Sequence, residues 1–324
     1  MKAVRIHGYG GPEVLRLDDV PDAVPAAGEV LLRVHAAGVN FSDTERRRTV
    51  YQDHLPLPAI LGSEAAGVIA AVGTGVNPAL RGLRAVGLAT EAQAELVRIP
   101  ASEVVVLPDG VDFDVAAGLP VAGLTSYHLL HTVEWVTPGM TLLVHAVAGG
   151  VGLFALQLAK AAGARVIGTT STEEKAEVAR RLGADAVLVA PKDLAAEVRA
   201  LTGGQGVDVV LDSVGRSTAA ASLASLAPFG HLVFYGDASG PPPPIDVDAL
   251  YPKSLRVSAY CLRSPHPADA HRAALNELVS DVAAGTLTCT IGLRLPLEEV
   301  AEAHRALEER RTVGKVVLLV GERR

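Results

Sequence analysis

Cysteine is nearly absent. Cys261 and Cys289 are the only two in 324 residues, which excludes a disulfide framework and a cysteine-rich zinc site. Basic charge is also scarce: 29 Lys and Arg stand against 36 Asp and Glu, giving a net charge of −7. Duplex nucleic acid is therefore not the main partner, because such binding rests on neutralising phosphates. The one basic cluster, Arg46 to Arg48, reads as a solvated helix face. A long uninterrupted apolar run is missing too, although 49% of the residues are hydrophobic. The most apolar window, 142 to 159, is broken by His145, Gln157 and glycines at 149, 150 and 152, which argues against a membrane span. The segment MKAVRIHGYG has no apolar core of the signal-peptide kind. A soluble, cytoplasmic protein is expected.

The stretch HAVAGGVG, residues 145 to 152, lacks the lysine and the following Ser or Thr of a phosphate-cradling P-loop. It does carry Ala146, Gly149 and Gly152 as AxxGxxG, a looser form of the dinucleotide fingerprint, with Gly150 and Val151 between the last two glycines. In that fingerprint small residues allow a tight turn, a close approach of backbone to pyrophosphate, and packing of helix on strand. The flanking pattern fits. TLLVHA reads as a buried strand, LFALQLAKAAGA as a helix ending near Gly163, and ARVIGTT as a second strand. A helix that starts at the glycines points its free N–H groups and the positive end of its dipole at an anion.

Residues 1 to 122 are rich in strand and turn signals, and helical periodicity is scarce before DFDVAAGLPVAGLTSYHLLHTV, 112 to 133. From 141 to about 262 strands and helices alternate, as EEKAEVARRLGAD, AVLVA, DLAAEVRALTG, VDVVLDSVG, STAAASLASLA, HLVFYG and LRVSAYCL. That alternation predicts an α/β fold with a parallel sheet covered by helices. The run Pro241 to Pro244 reads as a rigid connection between two strands, and the tail carries two helices and a final strand, GKVVLLV. His128 and His131 share one expected helix and read as packing residues, not metal ligands.

The motifs GGPEVL, AAGVNFSDT, LGSEAAGVIAAVGTGV, AAGLPVAGLTSY, AVAGGVG, VVLDSVG and TVGKVVLL span nearly the whole chain. In kind and order they resemble the medium-chain dehydrogenase/reductase superfamily and, within it, the zinc-free quinone oxidoreductases. The resemblance implies a GroES-like β-barrel catalytic domain from 1–122, completed by 263–324. It implies a Rossmann-type doubly wound parallel sheet from 123–262, an active site in the cleft, and a homodimer paired through LRVSAYCL.

Zinc-dependent relatives place a cysteine where this chain has Asn40 and a histidine where it has Ser63. Catalytic zinc needs about three strong protein ligands and an open position, and Glu64 alone cannot supply them, so no metal is expected. Without a Lewis acid to polarise a simple carbonyl, the expected substrates are already electrophilic: quinones, or α,β-unsaturated aldehydes and ketones as the alternative. An NADPH-binding structural or regulatory protein without turnover is a reading from another class.

The second strand ends GTTSTEEK, with Thr169, Thr170 and Ser171 where an NAD-preferring fold carries an acid for the ribose 2′-OH. Lys175 can meet a 2′-phosphate instead, so NADPH is the expected cofactor. Ser171 also reads as a helix cap completed by Glu174. The family's tyrosine after the third strand is replaced by Ala190. The resemblance further implies that Asn40 lies beside nicotinamide and substrate and donates to the acceptor oxygen, and that Tyr51 lines the substrate pocket, with Glu45 replacing a second such tyrosine. Asp43 reads equally as a cap of the following helix. Thr125 matches a threonine near the nicotinamide ribose and phosphates. Ser213, Tyr235 and Gly236 end strands that meet the cofactor, and Arg310 matches a cofactor-contacting arginine.

Overall fold

The computed structural model describes residues 1–49, 55–267 and 269–321. The chain divides into two compact units, Met1–Leu124 with His266–Arg324, and Thr125–Pro265.

The first unit is built on a seven-stranded sheet. Its order is Ile291–Pro296, Lys315–Leu319, Glu29–Val39, Glu64–Val72, Arg84–Leu88 and Val104–Val106, with Leu96–Pro100 pairing off that path. The long strand Glu29–Val39 organises the unit because its two halves take different partners on one edge. Residues 29–33 pair with Leu96–Pro100, and residues 36–39 pair with Val316–Leu319, both antiparallel. Its other edge pairs throughout with Glu64–Val72, through two register shifts that let the strand bend. Val30, Leu32, Val34, Ile69, Ile99, Val316 and Leu318 fill the core from these strands. A smaller three-stranded sheet contains Lys2–Ile6 between Leu15–Asp19 and Ala59–Ile60.

In the second unit the six strands are all parallel. They run Ala186–Val189, Arg165–Thr170, Thr141–Val144, Val207–Asp212, Leu226–Phe234 and Arg256–Ala259 across the sheet. Numbered along the chain this is 3-2-1-4-5-6, the doubly wound dinucleotide order, in which ligands bind beyond the carboxyl ends where the order reverses. That reversal falls between Thr141–Val144 and Val207–Asp212. The uniformly apolar strands have the pattern expected of a sheet buried on both faces; Leu143, Ile167, Val210 and Leu232 lie at its centre.

Three local expectations need correction. The helical segment 112 to 133 is broken into Phe113–Ala117, Pro120–His128 and a wider π-type turn at Leu129–Val133, because Pro120 has no N–H to continue the first piece. The strand expected over 255 to 262 is confined to Arg256–Ala259. Arg46 and Arg47 are not a solvated face: both are buried, Arg46 donating to Ser63 Oγ at 3.2 Å and Arg47 pairing with Glu308. Among the described residues, no helix is long and apolar enough to cross a membrane.

Candidate active site

In the first unit strand register assembles a cluster of polar side chains. Val316 lies opposite Val39, and Ala65 opposite Ala37, so the residues just beyond, Lys315, Asn40 and Glu64, converge at one end of the sheet. Lys315 Nζ donates to Asn40 Oδ1 at 2.6 Å and to Glu64 Oε1 at 2.7 Å. Asn40 Nδ2 donates to the same Glu64 oxygen at 2.7 Å. The other carboxylate oxygen, Oε2, accepts the N–H of Val121 at 2.7 Å, from the first turn of the Pro120–His128 helix. Glu64 is 0% and Lys315 3% exposed, whereas Asn40 is only partly buried. Gly38 makes the convergence possible: a Cβ there would overlap the Glu64 carboxylate and come within 2.7 Å of the Ala117 carbonyl.

Around this triad the groups are held in definite states. Asp43 Oδ2 accepts the backbone N–H of Asn40 at 2.8 Å, so Asp43 caps the Phe41–Arg47 helix. Burial pushes its carboxyl up to about 6, against the opposing effects of that hydrogen bond and of Arg46. Burial likewise pushes the Cys289 thiol up to about 12, so it is no nucleophile at neutral pH.

This donor set does not fit zinc. Glu64, the one strong oxygen ligand, is already neutralised by an ammonium 2.7 Å away, and Ser63 receives a guanidinium N–H. An amide and a hydroxyl in place of imidazole or thiolate leave too few ligands for a catalytic centre.

In the second unit the candidate cofactor surface is made of backbone. Gly149 is the N-cap of the Gly150–Ala161 helix, after a turn in which Ala146 takes the left-handed φ of 47°. Gly152 packs so closely that a Cβ would lie 2.5 Å from the Ala146 carbonyl oxygen and 2.6 Å from that of Val147. The Val151 carbonyl accepts the Ser126 hydroxyl at 2.9 Å, which ties the helix start to the residue after the buried Thr125. Free N–H groups at a helix start reached over glycine fit the pyrophosphate of a dinucleotide.

Behind the turn runs a buried polar chain. Asp212 Oδ1 accepts the N–H groups of Val214 and Gly215 and the Thr218 hydroxyl, at 2.8, 3.0 and 2.9 Å. Ser222 donates its hydroxyl to Asp212 Oδ2 at 2.8 Å. With that proton spent, Ser222 Oγ accepts from His145 Nε2 at 3.0 Å, so Nδ1 is the acceptor and Thr169 donates to it at 3.0 Å. Thr169 therefore offers only oxygen lone pairs outward. Burial lowers the His145 pKa, with Asp212 partly opposing, which keeps the ring neutral and the chain in this polarity.

Ser213 and Tyr235 are joined by a side-chain hydrogen bond, and burial pushes the phenol up to about 12, so it remains a donor. Gly236 is exposed beside them, its position such that a Cβ would be 3.0 Å from the Ser213 carbonyl oxygen. Ser171 is exposed, and the cap of the Glu173–Arg181 helix is Thr172, whose Oγ1 accepts the Lys175 N–H at 3.4 Å; the capping expectation for Ser171 is corrected by one residue. Lys175 is half-buried on the first turn of that helix. Arg310 is exposed in the first unit, in the turn after Val300–Glu308, with a left-handed φ of 56°. Tyr51 lies outside the described residues.

Sequence reasoning overlooked Lys315, Asp212 and His145. Each was visible as a polar residue at the end of an otherwise apolar strand: GKVVLL, VVLD and TLLVH.

Residues 26–109 match the family described as alcohol dehydrogenase GroES-like domain, and residues 150–280 the one described as zinc-binding dehydrogenase. The chain is 42% identical to a quinone oxidoreductase of Pseudomonas aeruginosa, over 98% of this chain and 99% of that one. It is 39% identical to a 2-haloacrylate reductase of a Burkholderia species, over 98% of each. Among solved structures, the Escherichia coli quinone oxidoreductase complexed with NADPH matches with a TM-score of 0.94 at 37% identity, covering 98% of this chain and 100% of that one. Identity of this order along the full length of both chains, joined to the 3-2-1-4-5-6 sheet, means that the protein belongs to the quinone oxidoreductase family of the medium-chain dehydrogenase/reductase superfamily.

Proposed function

We propose that the protein is an NADPH-dependent oxidoreductase that reduces quinones by hydride transfer without zinc. The observation that carries the metal-free reading is the Lys315–Glu64 pair: an ammonium occupies the carboxylate that a metal would require. Bound NADPH supplies the hydride, and the chain's own residues bind, orient and stabilise. Gly149, Gly150 and Val151 receive the pyrophosphate at the helix start. The second strand ends without an acid to repel a 2′-phosphate, and Lys175 supplies the positive charge. Thr125, Thr169, Ser171, Ser213, Tyr235, Gly236 and Arg310 complete the cofactor contacts. Asn40 donates an amide N–H to the acceptor oxygen as negative charge develops there, and Tyr51 shapes the substrate pocket.

Oxidation of NADPH with a panel of quinones, after exhaustive chelation and elemental analysis, tests this reading. Turnover independent of metal is the expected result; stoichiometric zinc whose removal abolishes turnover in a folded chain overturns it.

Reduction of an activated alkene is the second reading, favoured by the full-length similarity to a 2-haloacrylate reductase. The same hydride would then reach a β-carbon conjugated to a carbonyl, and enals and enones in the panel separate the two. We place the protein in the cytoplasm as a homodimer, with Arg256–Ala259, the last strand of its sheet, continuing the sheet across a two-fold axis. A monomeric mass by light scattering at micromolar concentration would count against that assembly.

A further inference from the structure

We propose that Lys315 is a positioning residue: it fixes the amide of Asn40 so that the amide presents N–H, never C=O, to the acceptor. The inference rests on the role assigned above to Asn40. An amide's oxygen and nitrogen are close to isosteric, and only the surrounding hydrogen bonds decide which faces where. Here the two neighbours are of opposite kinds. An ammonium has donors and no acceptor, and an ionised carboxylate has acceptors and no donor. Lys315 Nζ meets Asn40 Oδ1 at 2.6 Å, and Glu64 Oε1 meets Asn40 Nδ2 at 2.7 Å. Rotating the amide by half a turn would set NH₂ against the ammonium and C=O against the carboxylate, two repulsive contacts in place of two charge-assisted hydrogen bonds.

The frame that holds the amide is itself fixed. Glu64 is pinned by Val121 N–H on one oxygen and by Lys315 on the other, at 2.7 Å each. Lys315 and Glu64 are 4% and 0% exposed in their side chains, so only Asn40, which is partly exposed, can meet a small molecule. Lys315 therefore acts through the amide. One Nδ2 hydrogen goes to Glu64, and the other is the donor left for the acceptor oxygen. Withdrawal of electron density by the ammonium at Oδ1 strengthens that donor, as in any polarised hydrogen-bond chain. The reversed amide would aim a carbonyl at an oxygen gaining negative charge, and the stabilisation would become repulsion.

A double-mutant cycle between position 40 and the lysine tests this. Because Lys315→Met alone strands a buried carboxylate, the working variant is Lys315→Met with Glu64→Gln, in which glutamine offers both donor and acceptor and no longer dictates the amide's direction. Turnover on quinone should fall about 10- to 100-fold, in the range of a lost oxyanion donor or somewhat below it, with NADPH affinity within about twofold of wild type. In an Asn40→Ala background the same change should cost nothing further. Lys315→Arg, which keeps charge and donors, should recover part of the turnover. A fall of equal size in both backgrounds, or no fall at all, overturns the proposal.

A second readout needs neither cofactor nor activity. The Asn40 side-chain amide resonance, identified by its loss in Asn40→Ala, should be shifted and exchange-protected in wild type and lose both features in the Lys315→Met, Glu64→Gln protein. An unshifted, freely exchanging amide in wild type overturns the orientation. A protected amide that depends on Lys315, in a protein whose Asn40→Ala variant turns over normally, leaves the orientation standing and removes Asn40 from the reaction.

Discussion

The two units build their candidate clusters on opposite principles. In the Thr125–Pro265 unit the proposed cofactor surface is backbone: a turn, a helix start and the ends of neighbouring parallel strands, with glycine supplying closeness. The turn and the helix start lie within one contiguous strand–turn–helix, residues 141–161. In the first unit the candidate cluster is made of side chains brought from far apart, Asn40 and Glu64 separated by 24 residues and Lys315 lying 251 beyond Glu64. Backbone sites tolerate changes of side chain but not of volume. Side-chain sites tolerate neither loss of charge nor loss of a single donor, because each buried polar group depends on the next.

The contrast breaks most visibly at Lys315. Lys315→Met alone leaves Glu64 ionised, buried and without its counter-ion, and removing one partner of such a pair costs about 3–5 kcal/mol. Chemical denaturation should show a loss of that order, and restoring neutrality with Glu64→Gln should recover most of it. A Lys315→Met protein as stable as wild type would mean that the pair is not buried as a unit.

Function divides along the same line. Asn40→Ala should lower turnover by about 10² to 10³ while leaving NADPH affinity within about twofold. Gly152→Ala should do the reverse: its Cβ would press within 2.6 Å of two carbonyl oxygens in the turn, weakening NADPH binding by about tenfold or more, some 1.4 kcal/mol. Titration of NADPH and steady-state kinetics on both variants show whether the two effects separate; proportional losses in both would show that the two clusters are not independent.

Stability of the first unit also depends on pH, through a buried histidine. His304, fully buried in the first unit with neither ring nitrogen partnered among the described residues, is pushed down to about 3 by burial and by Arg47 and Arg48. A depressed pKa means that the unfolded chain binds a proton the folded one refuses. Stability from this group is thus full above the unfolded value near 6.5 and is lost as pH falls below it. Between pH 7 and 5 the loss is about 2 kcal/mol, or about 4–8 °C in melting temperature. Asp43, raised to about 6, acts in the opposite sense over the same interval, since its protonated form is favoured in the folded state. His304→Leu should therefore flatten the acid limb of the wild-type melting curve, and an unchanged limb would show that His304 is not buried neutral.

The smallest effect belongs to Lys175. Lys175→Ala should weaken NADPH about tenfold, equivalent to about 1.4 kcal/mol, and leave NADH unchanged. Parallel titrations decide it, and equal losses for both cofactors would remove Lys175 from the 2′-phosphate.

How far such features could be read from the chain follows from their range. TLLVHA, the AxxGxxG turn and the apolar helix after it were legible because all their determinants lie within about thirty residues, the span of one strand–turn–helix–strand unit. Helical periodicity runs on through 112 to 133 although Pro120 breaks the helix, and Ser171 reads as a cap that Thr172 holds, since neighbouring hydroxyls have the same propensity. Arg46 and Arg47 misled for a different reason. Three consecutive arginines look solvated, yet a partner 261 residues from Arg47 covers and pairs with it.

The α/β alternation, the parallel dinucleotide sheet, the glycine turn and the lack of an acid after the second strand are encoded locally, because they depend on periodicity and on residue volume. The enclosure of Asn40 by Lys315 and Glu64 is not encoded locally. That arrangement arises from the strand register Val316 to Val39 and Ala65 to Ala37. Register is set by the burial of whole faces across the sheet, so no local pattern encodes which polar residues meet where the strands end.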